Sequence, residues 1–164
     1  MKVIGIAFSD LHLGEYSKFN EDNKRTLNHI RVLYLIKDLC IKYKCPAFFC
    51  GDFMHRPEFI STSLDEIIIE QFEELNRYEE FNIYGISGNH CMPKANTIEH
   101  RSPSHWANLC RRYSFLHNID FSYHDFGKFR VVGIPYIDHN NGLDGLIKSE
   151  LKGAMLKPTI LLLH

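Results

Sequence analysis

The residues of this chain best suited to do chemistry fall at the ends of apolar runs. Asp10 and His12 follow Val3–Phe8, and Asp52 and His55 follow Ala47–Cys50. Asn89 and His90 follow Asn82–Ser87, and His164 follows Thr159–Leu163. Carboxylate and amide oxygens and imidazole nitrogens together suit hard and borderline divalent cations. If these runs are strands of parallel sheets, the groups lie beyond the strands' carboxyl ends, where open α/β sheets carry their sites. Asp10 and His12, two residues apart, would share one face of an extended strand and hold one ion. Asp52 would bridge that ion to a second, with Asn89 and His164 completing the second set. The mixture favours Mn²⁺, Fe²⁺ or Zn²⁺ over Ca²⁺. Two such ions about 3.5–4 Å apart hold a phosphate, polarise its phosphorus and activate water. His90 and His55, beside the ligands, are placed to protonate a leaving alkoxide or steady the transition state.

The elements that must position these groups are legible as two β-α-β repetitions. Residues 2–8 read as a buried strand. Between about Asp22 and Tyr43 the apolar positions Leu27, Ile30, Leu33, Ile36, Leu39 and Cys40 recur at helical spacing, and Lys42 and Lys44 suit a helix C-terminus. Pro46 breaks the helix, and residues 47–50 form the next strand. Ser61–Glu66 carries capping residues, and 65–78 reads as a helix with Ile68, Ile69, Phe72 and Leu75 on one face. A third strand covers 82–87. Residues 91–103, with Pro93 and Pro103, read as loop. A short helix is expected over 105–113, strands over 115–122 and 128–136 joined as a hairpin, a helix over 143–155 and an apolar strand over 159–163.

Composition sets limits. The chain has 164 residues, is 45% hydrophobic and 24% charged, and carries a net charge of −1. That length suits one domain, residues 1–164, and the charge argues against a strongly basic nucleic-acid module. A metal pair can supply the local positive charge that engages phosphate. The apolar run at the N-terminus is too short for a signal peptide, and no segment approaches the length of a membrane span. Cys40, Cys45, Cys50, Cys91 and Cys110 are odd in number and lack a Cys-x-x-Cys pair. They read as reduced, mostly core thiols, in keeping with a cytoplasmic protein. His100, His105, His117, His124 and His139 are expected to be structural or at the surface, Arg111-Arg112 a solvated helix face, and Trp106 a packing residue.

In combination, Asp10-Leu11-His12, Gly51-Asp52 and Gly88-Asn89-His90, with His164 as a strand-end histidine, resemble the calcineurin-like metallophosphoesterase superfamily. Ser9-Asp10-Leu11-His12-Leu13-Gly14 and Gly51-Asp52-Phe53-Met54-His55 are similar to one branch, the SbcD-type double-strand-break repair nucleases and their phage recombination-endonuclease relatives. The resemblance implies an α/β fold with a layered β core flanked by helices. It also implies a Mn²⁺-dependent DNA exonuclease and endonuclease working with an SMC-like, coiled-coil ATPase. In that branch a histidine three places after the bridging aspartate assists catalysis, which falls on His55. The composition, rich in Lys, Ile, Asn, Phe and Tyr, fits a phage or low-GC bacterium.

Two departures shape the expectations. Cys91 stands where the superfamily has the acid that orients the histidine of Gly-Asn-His. The closing Gly-His-x-His motif does not occur, so the chain is expected to represent the front part of a family member, C-terminally truncated, with an apolar edge over Ile160–Leu163. Two alternatives to the DNA nuclease follow. One is a phosphoesterase acting on small molecules or proteins. The other is a non-catalytic or complementing subunit that pairs through the open edge with a second chain or with itself.

Overall fold

A computed structural model of the chain describes residues 2–14, 24–55, 61–91, 104–137 and 157–164. Strand β1 (Ile6–Phe8) leads to helix α1 (Lys24–Tyr43), β2 (Ala47–Phe49), α2 (Thr62–Leu75) and β3 (Ile83–Gly85). A 3-10 turn (Asn89–Cys91), α3 (His105–Arg112), β4 (Leu116–Asn118), β5 (Ser122–Asp125), β6 (Arg130–Ile134) and β7 (Thr159–Leu163) follow. β1 to β4 form a parallel sheet in sequential order, and β5-β6-β7 form a second sheet. The fold is therefore α/β, with a four-stranded parallel sheet, a second sheet and, among the described residues, three helices.

Strand alternation separates two cores. Phe48 is in register with Tyr84 and His117, and Ala47 with Ile83 and Leu116. Ala47, Phe49, Ile83 and Leu116 pack with Leu33, Ile36 and Cys40 of α1, Leu64, Ile68 and Phe72 of α2, and Trp106 of α3. Phe48 packs instead with Ile86, Ile119, Val131 and Leu162, which joins the two sheets. Successive residues of one strand thus serve opposite layers. Trp106 is fully buried against Phe49 and Phe53, and its indole N–H donates to Gly85 O at 3.0 Å.

Several boundaries differ from the sequence reading for identifiable reasons. β1 begins at Ile6, not at residue 2, because its partner begins only at Ala47; Ile6 N–H donates to Pro46 O at 3.0 Å, and Ile4 is 49% exposed. The single strand expected over 115–122 is two strands in different sheets. Ile119 N–H still donates to Gly85 O of the first sheet, Phe121 N–H donates to Gly133 O of the second, and Phe121 has φ 51°. The hairpin therefore starts at Ser122, with Asp125 opposite Arg130. On α1, Thr26 and Lys37 are buried, whereas Leu27 and Leu39 are half-buried. α2 starts earlier than expected because Ser61 is its N-cap, its hydroxyl accepting from Leu64 N–H at 3.2 Å. The helix expected over 143–155 lies outside the described residues. Among those described, no helix is long and apolar enough to cross a membrane.

Candidate metal centre

Two loops leaving β1 and β2 side by side form the floor of the site. Asp10 N–H donates to Gly51 O at 3.0 Å, His12 N–H to Asp52 O at 2.9 Å, Leu13 N–H to Phe53 O at 2.8 Å and His55 N–H to Leu13 O at 2.8 Å. The loops thus zip together beyond the strands. Leu11, Leu13, Phe53 and Met54 point into the helical core and are buried, which anchors the intervening polar residues. Asp10, His12 and Asp52 take φ of 55°, 45° and 62°. Side chains rarely adopt this left-handed conformation, and its occurrence at adjacent polar loop residues is the kind of strain that active sites hold. Asp10 and His12 therefore converge through left-handed turns. The expected alternation along a strand is not the cause, since β1 has ended at Phe8.

The third loop locks onto the second through Asp52. Its Oδ1 accepts from His90 N–H at 2.9 Å, and the Cys91 thiol accepts from Phe53 N–H at 3.3 Å. Gly88 has to be glycine here, because a Cβ would sit 2.2 Å from Asp52 Oδ1. Behind it Ser87 is pinned: Asp120 accepts from Ser87 N–H at 2.8 Å and from its hydroxyl at 2.6 Å, and Ser104 shares that hydroxyl. Burial pushes the Asp120 carboxyl up, against the pull of the Ser87 hydrogen bonds. The second sheet enters through β7, whose end carries His164 to the loop after β2.

Asp52 Oδ2 lies between two imidazoles, 3.8 Å from His12 Nε2 and 3.6 Å from His164 Nε2. Asp10 Oδ1 is 3.4 Å from His12 Nε2. Ser9 donates its hydroxyl to Asp10 Oδ2, and chiefly for that reason the Asp10 carboxyl is held below the ordinary carboxylate range, with His12 adding to the effect. Asp52 is 5% exposed and Asp10 59%, so one carboxylate is sunk in the floor and the other stands at the rim.

Backbone carbonyls determine which ring nitrogen faces inward. His164 Nδ1 is 2.8 Å from Cys50 O, and His90 Nδ1 is 2.9 Å from His55 O. A carbonyl only accepts, so both Nδ1 atoms carry the proton and present a bare Nε2 when the ring is neutral. This is the support that metal-bound histidines receive. The inward end of the Asn89 amide lies 2.9 Å from His164 Nε2. With nitrogen at that end it donates to His164 Nε2 at 2.9 Å and to the Asp52 oxygens at 3.2 and 3.0 Å. With oxygen there, four groups offer only lone pairs to the site: the Asp10 and Asp52 carboxylates, the Asn89 amide and the His164 imidazole. Such a donor set fits divalent cations, and Asp10, His12 and Asp52 present ligand atoms within 4.8 Å of one another.

The structure thus brings together Asp10, His12, Asp52, Asn89 and His164, with His55 and His90 beside them. His55 and His90 stack with centroids 5.8 Å apart, and His12 meets His90 edge-on at 4.9 Å. Cys91 does not orient His90; the His55 carbonyl does. The Cys91 thiol, raised by burial, braces Phe53 N–H. His117 stacks on Tyr84 and His124 lies tilted against the same ring, and Arg111 and Arg112 are exposed at the end of α3. His105 is half-buried at the start of α3. His100 and His139 lie outside the described residues.

Sequence reasoning missed Arg25 and His29, which with Asp10, His12, His55 and His90 line an open cleft of about 440 Å³. Their i, i+4 spacing on α1 was a usable signal. Burial, aided by Arg25, lowers the His29 pKa. Also missed was the Ser87–Asp120 brace, which only the fold brings together. No protein-family model matches the chain, and no curated protein matches it.

Proposed function

We propose that this chain is a metal-dependent DNA nuclease that cleaves phosphodiesters at a two-metal centre of metallophosphoesterase type. The observation that carries this reading is the position of Asp52 Oδ2 between His12 Nε2 and His164 Nε2, 3.8 and 3.6 Å away, which is where a bridging ligand belongs. Asp10, His12 and Asp52 would hold one ion, and Asp52, Asn89 and His164 the other, with Mn²⁺ the expected metal. Bound there, such ions supply Lewis acidity toward phosphorus and activation of water. The chain's own residues do the rest. His90, its Nδ1–H fixed by the His55 carbonyl, exchanges a proton at Nε2 with the leaving alkoxide. His55 packs against that ring and limits its rotation. Arg25 on α1 is placed beside the cleft to meet a phosphate backbone. Resemblance in the loops after β1 and β2 favours DNA as substrate and an SMC-like ATPase as partner.

The test is Mn²⁺-dependent hydrolysis of linear and single-stranded DNA beside a small phosphomonoester. The reading expects DNA cleavage that Asp52→Ala abolishes. Turnover of the monoester with no DNA cleavage would instead indicate a small-molecule phosphoesterase. A second reading, a subunit completed by another chain, is favoured by β7. Among the described residues β7 pairs only with β6, and Leu161 and Leu163 are 37% and 46% exposed. Sedimentation of the purified chain decides this: a monomer at all concentrations, alone and with added ATPase subunit, contradicts it.

A further inference from the structure

Beside the oxygen-rich centre lies a group of different chemistry. His12, His55 and His90 each offer a ring nitrogen, and these nitrogens lie within 4.8 Å of one another. The rings surround one space: His12 is edge-on to both partners, with centroids 5.8 Å from His55 and 4.9 Å from His90, while His55 and His90 stack. All three are half-buried and line the mouth of the cleft, so an ion has a path from solvent. His90 is already set as a ligand, because Nδ1–H is held by the His55 carbonyl at 2.9 Å and Nε2 remains for the group. In a tetrahedral zinc site nitrogens at 2.0–2.1 Å from the metal stand roughly 3.3–3.4 Å apart, so closing this cluster takes ring rotations of about an ångström. Three imidazoles with an open fourth position suit Zn²⁺; a hard cation such as Mn²⁺ or Mg²⁺ prefers the neighbouring oxygens.

We propose that His12, His55 and His90 form a zinc-selective site that excludes the Mn²⁺ pair. His12 belongs to both groups, so its ring cannot serve both ions in their preferred geometry. Zinc also engages His90 at the nitrogen that would exchange a proton. Zinc binding to three imidazoles stands independently of the nuclease reading; only its inhibitory consequence rests on that reading.

X-ray absorption at the zinc edge, on the wild-type chain loaded with one equivalent of Zn²⁺, counts the imidazoles. Three are expected. A single imidazole with carboxylate oxygens, the signature of either oxygen-rich set, overturns the proposal. Calorimetry without DNA gives a second arm. His55→Gln weakens Zn²⁺ binding by about 10–100-fold or more, since losing a ligand costs at least as much as losing its outer support. Asp10→Asn leaves Zn²⁺ binding in place and weakens Mn²⁺ binding. The opposite pattern overturns the proposal. Zn²⁺ added to the Mn²⁺-loaded chain releases Mn²⁺, read as growth of the free-Mn²⁺ EPR signal; retention of both metals overturns the exclusion. Because none of these measurements uses DNA, a chain that binds zinc through three imidazoles yet cleaves nothing counts against the nuclease reading alone.

Discussion

At His90 and His164 a main-chain carbonyl decides which ring nitrogen faces the site, and no side chain is needed to do so. This explains how the chain tolerates Cys91 where an orienting acid was expected. The ring is held from His55 O, and the thiol is redeployed to brace the loop that carries Asp52. His90→Gln is therefore predicted to lower kcat by about 10²–10⁴-fold while Mn²⁺ affinity, measured by calorimetry, is retained. Gly88→Ala is predicted to do the reverse damage. Its Cβ would meet Asp52 Oδ1 at 2.2 Å, so the Asp52 carboxylate must move, and Mn²⁺ affinity should fall by at least about 10–100-fold. Unchanged affinity in that variant would show that Asp52 is not a ligand. The candidate ligands themselves were readable in the sequence because they recur after apolar runs, and the structure brings them together. The cause of their convergence was not. Left-handed φ values at Asp10, His12 and Asp52 are imposed by the pairing of two loops, and nothing in Asp10-Leu11-His12 announces them.

At the scale of elements, the helical spacing over α1 and α2 and the apolar runs of β2, β3 and β7 carry their own signal. Boundaries depended on partners, which a single strand cannot reveal. β1 is short because β2 starts late, and the apolar stretch 115–122 hides a change of sheet at Ile119–Phe121. That change is what sends Asp120 back to Ser87, 33 residues away, and so it supports the third loop of the site. α3 holds the same region from the other side. Trp106 fills the space between Phe49 and Phe53 and caps Gly85 O. Trp106→Phe removes one of the two hydrogen bonds that this carbonyl accepts, the other coming from Ile119 N–H, and the lost bond should cost about 0.5–1.5 kcal/mol in denaturant unfolding. A change within error would mean that the indole N–H contributes nothing to holding β3.

Across the whole molecule, stability and site share the junction of the two sheets. His117 at that junction and His105 at the start of α3 are pushed below their ordinary value of 6.5, both chiefly by burial. The unfolded chain therefore binds more protons than the native one between the depressed values and 6.5. These groups contribute their full stability above pH 6.5, and it is lost as pH falls through the folded values. The denaturation midpoint should drop between pH 7.5 and pH 5.5, and His117→Gln should flatten that drop; an equal midpoint at both pH values contradicts the assignment. The same junction makes the candidate metal centre, since Asp10, His12, Asp52 and Asn89 come from loops of the parallel sheet and His164 from the end of β7 of the second. The most direct test is EPR of the chain titrated with Mn²⁺, with Asp52→Asn beside it. The account predicts an exchange-coupled manganese pair in the wild type, lost in the variant. Isolated Mn²⁺ at every loading, or coupling that survives the loss of the Asp52 carboxylate, would contradict it.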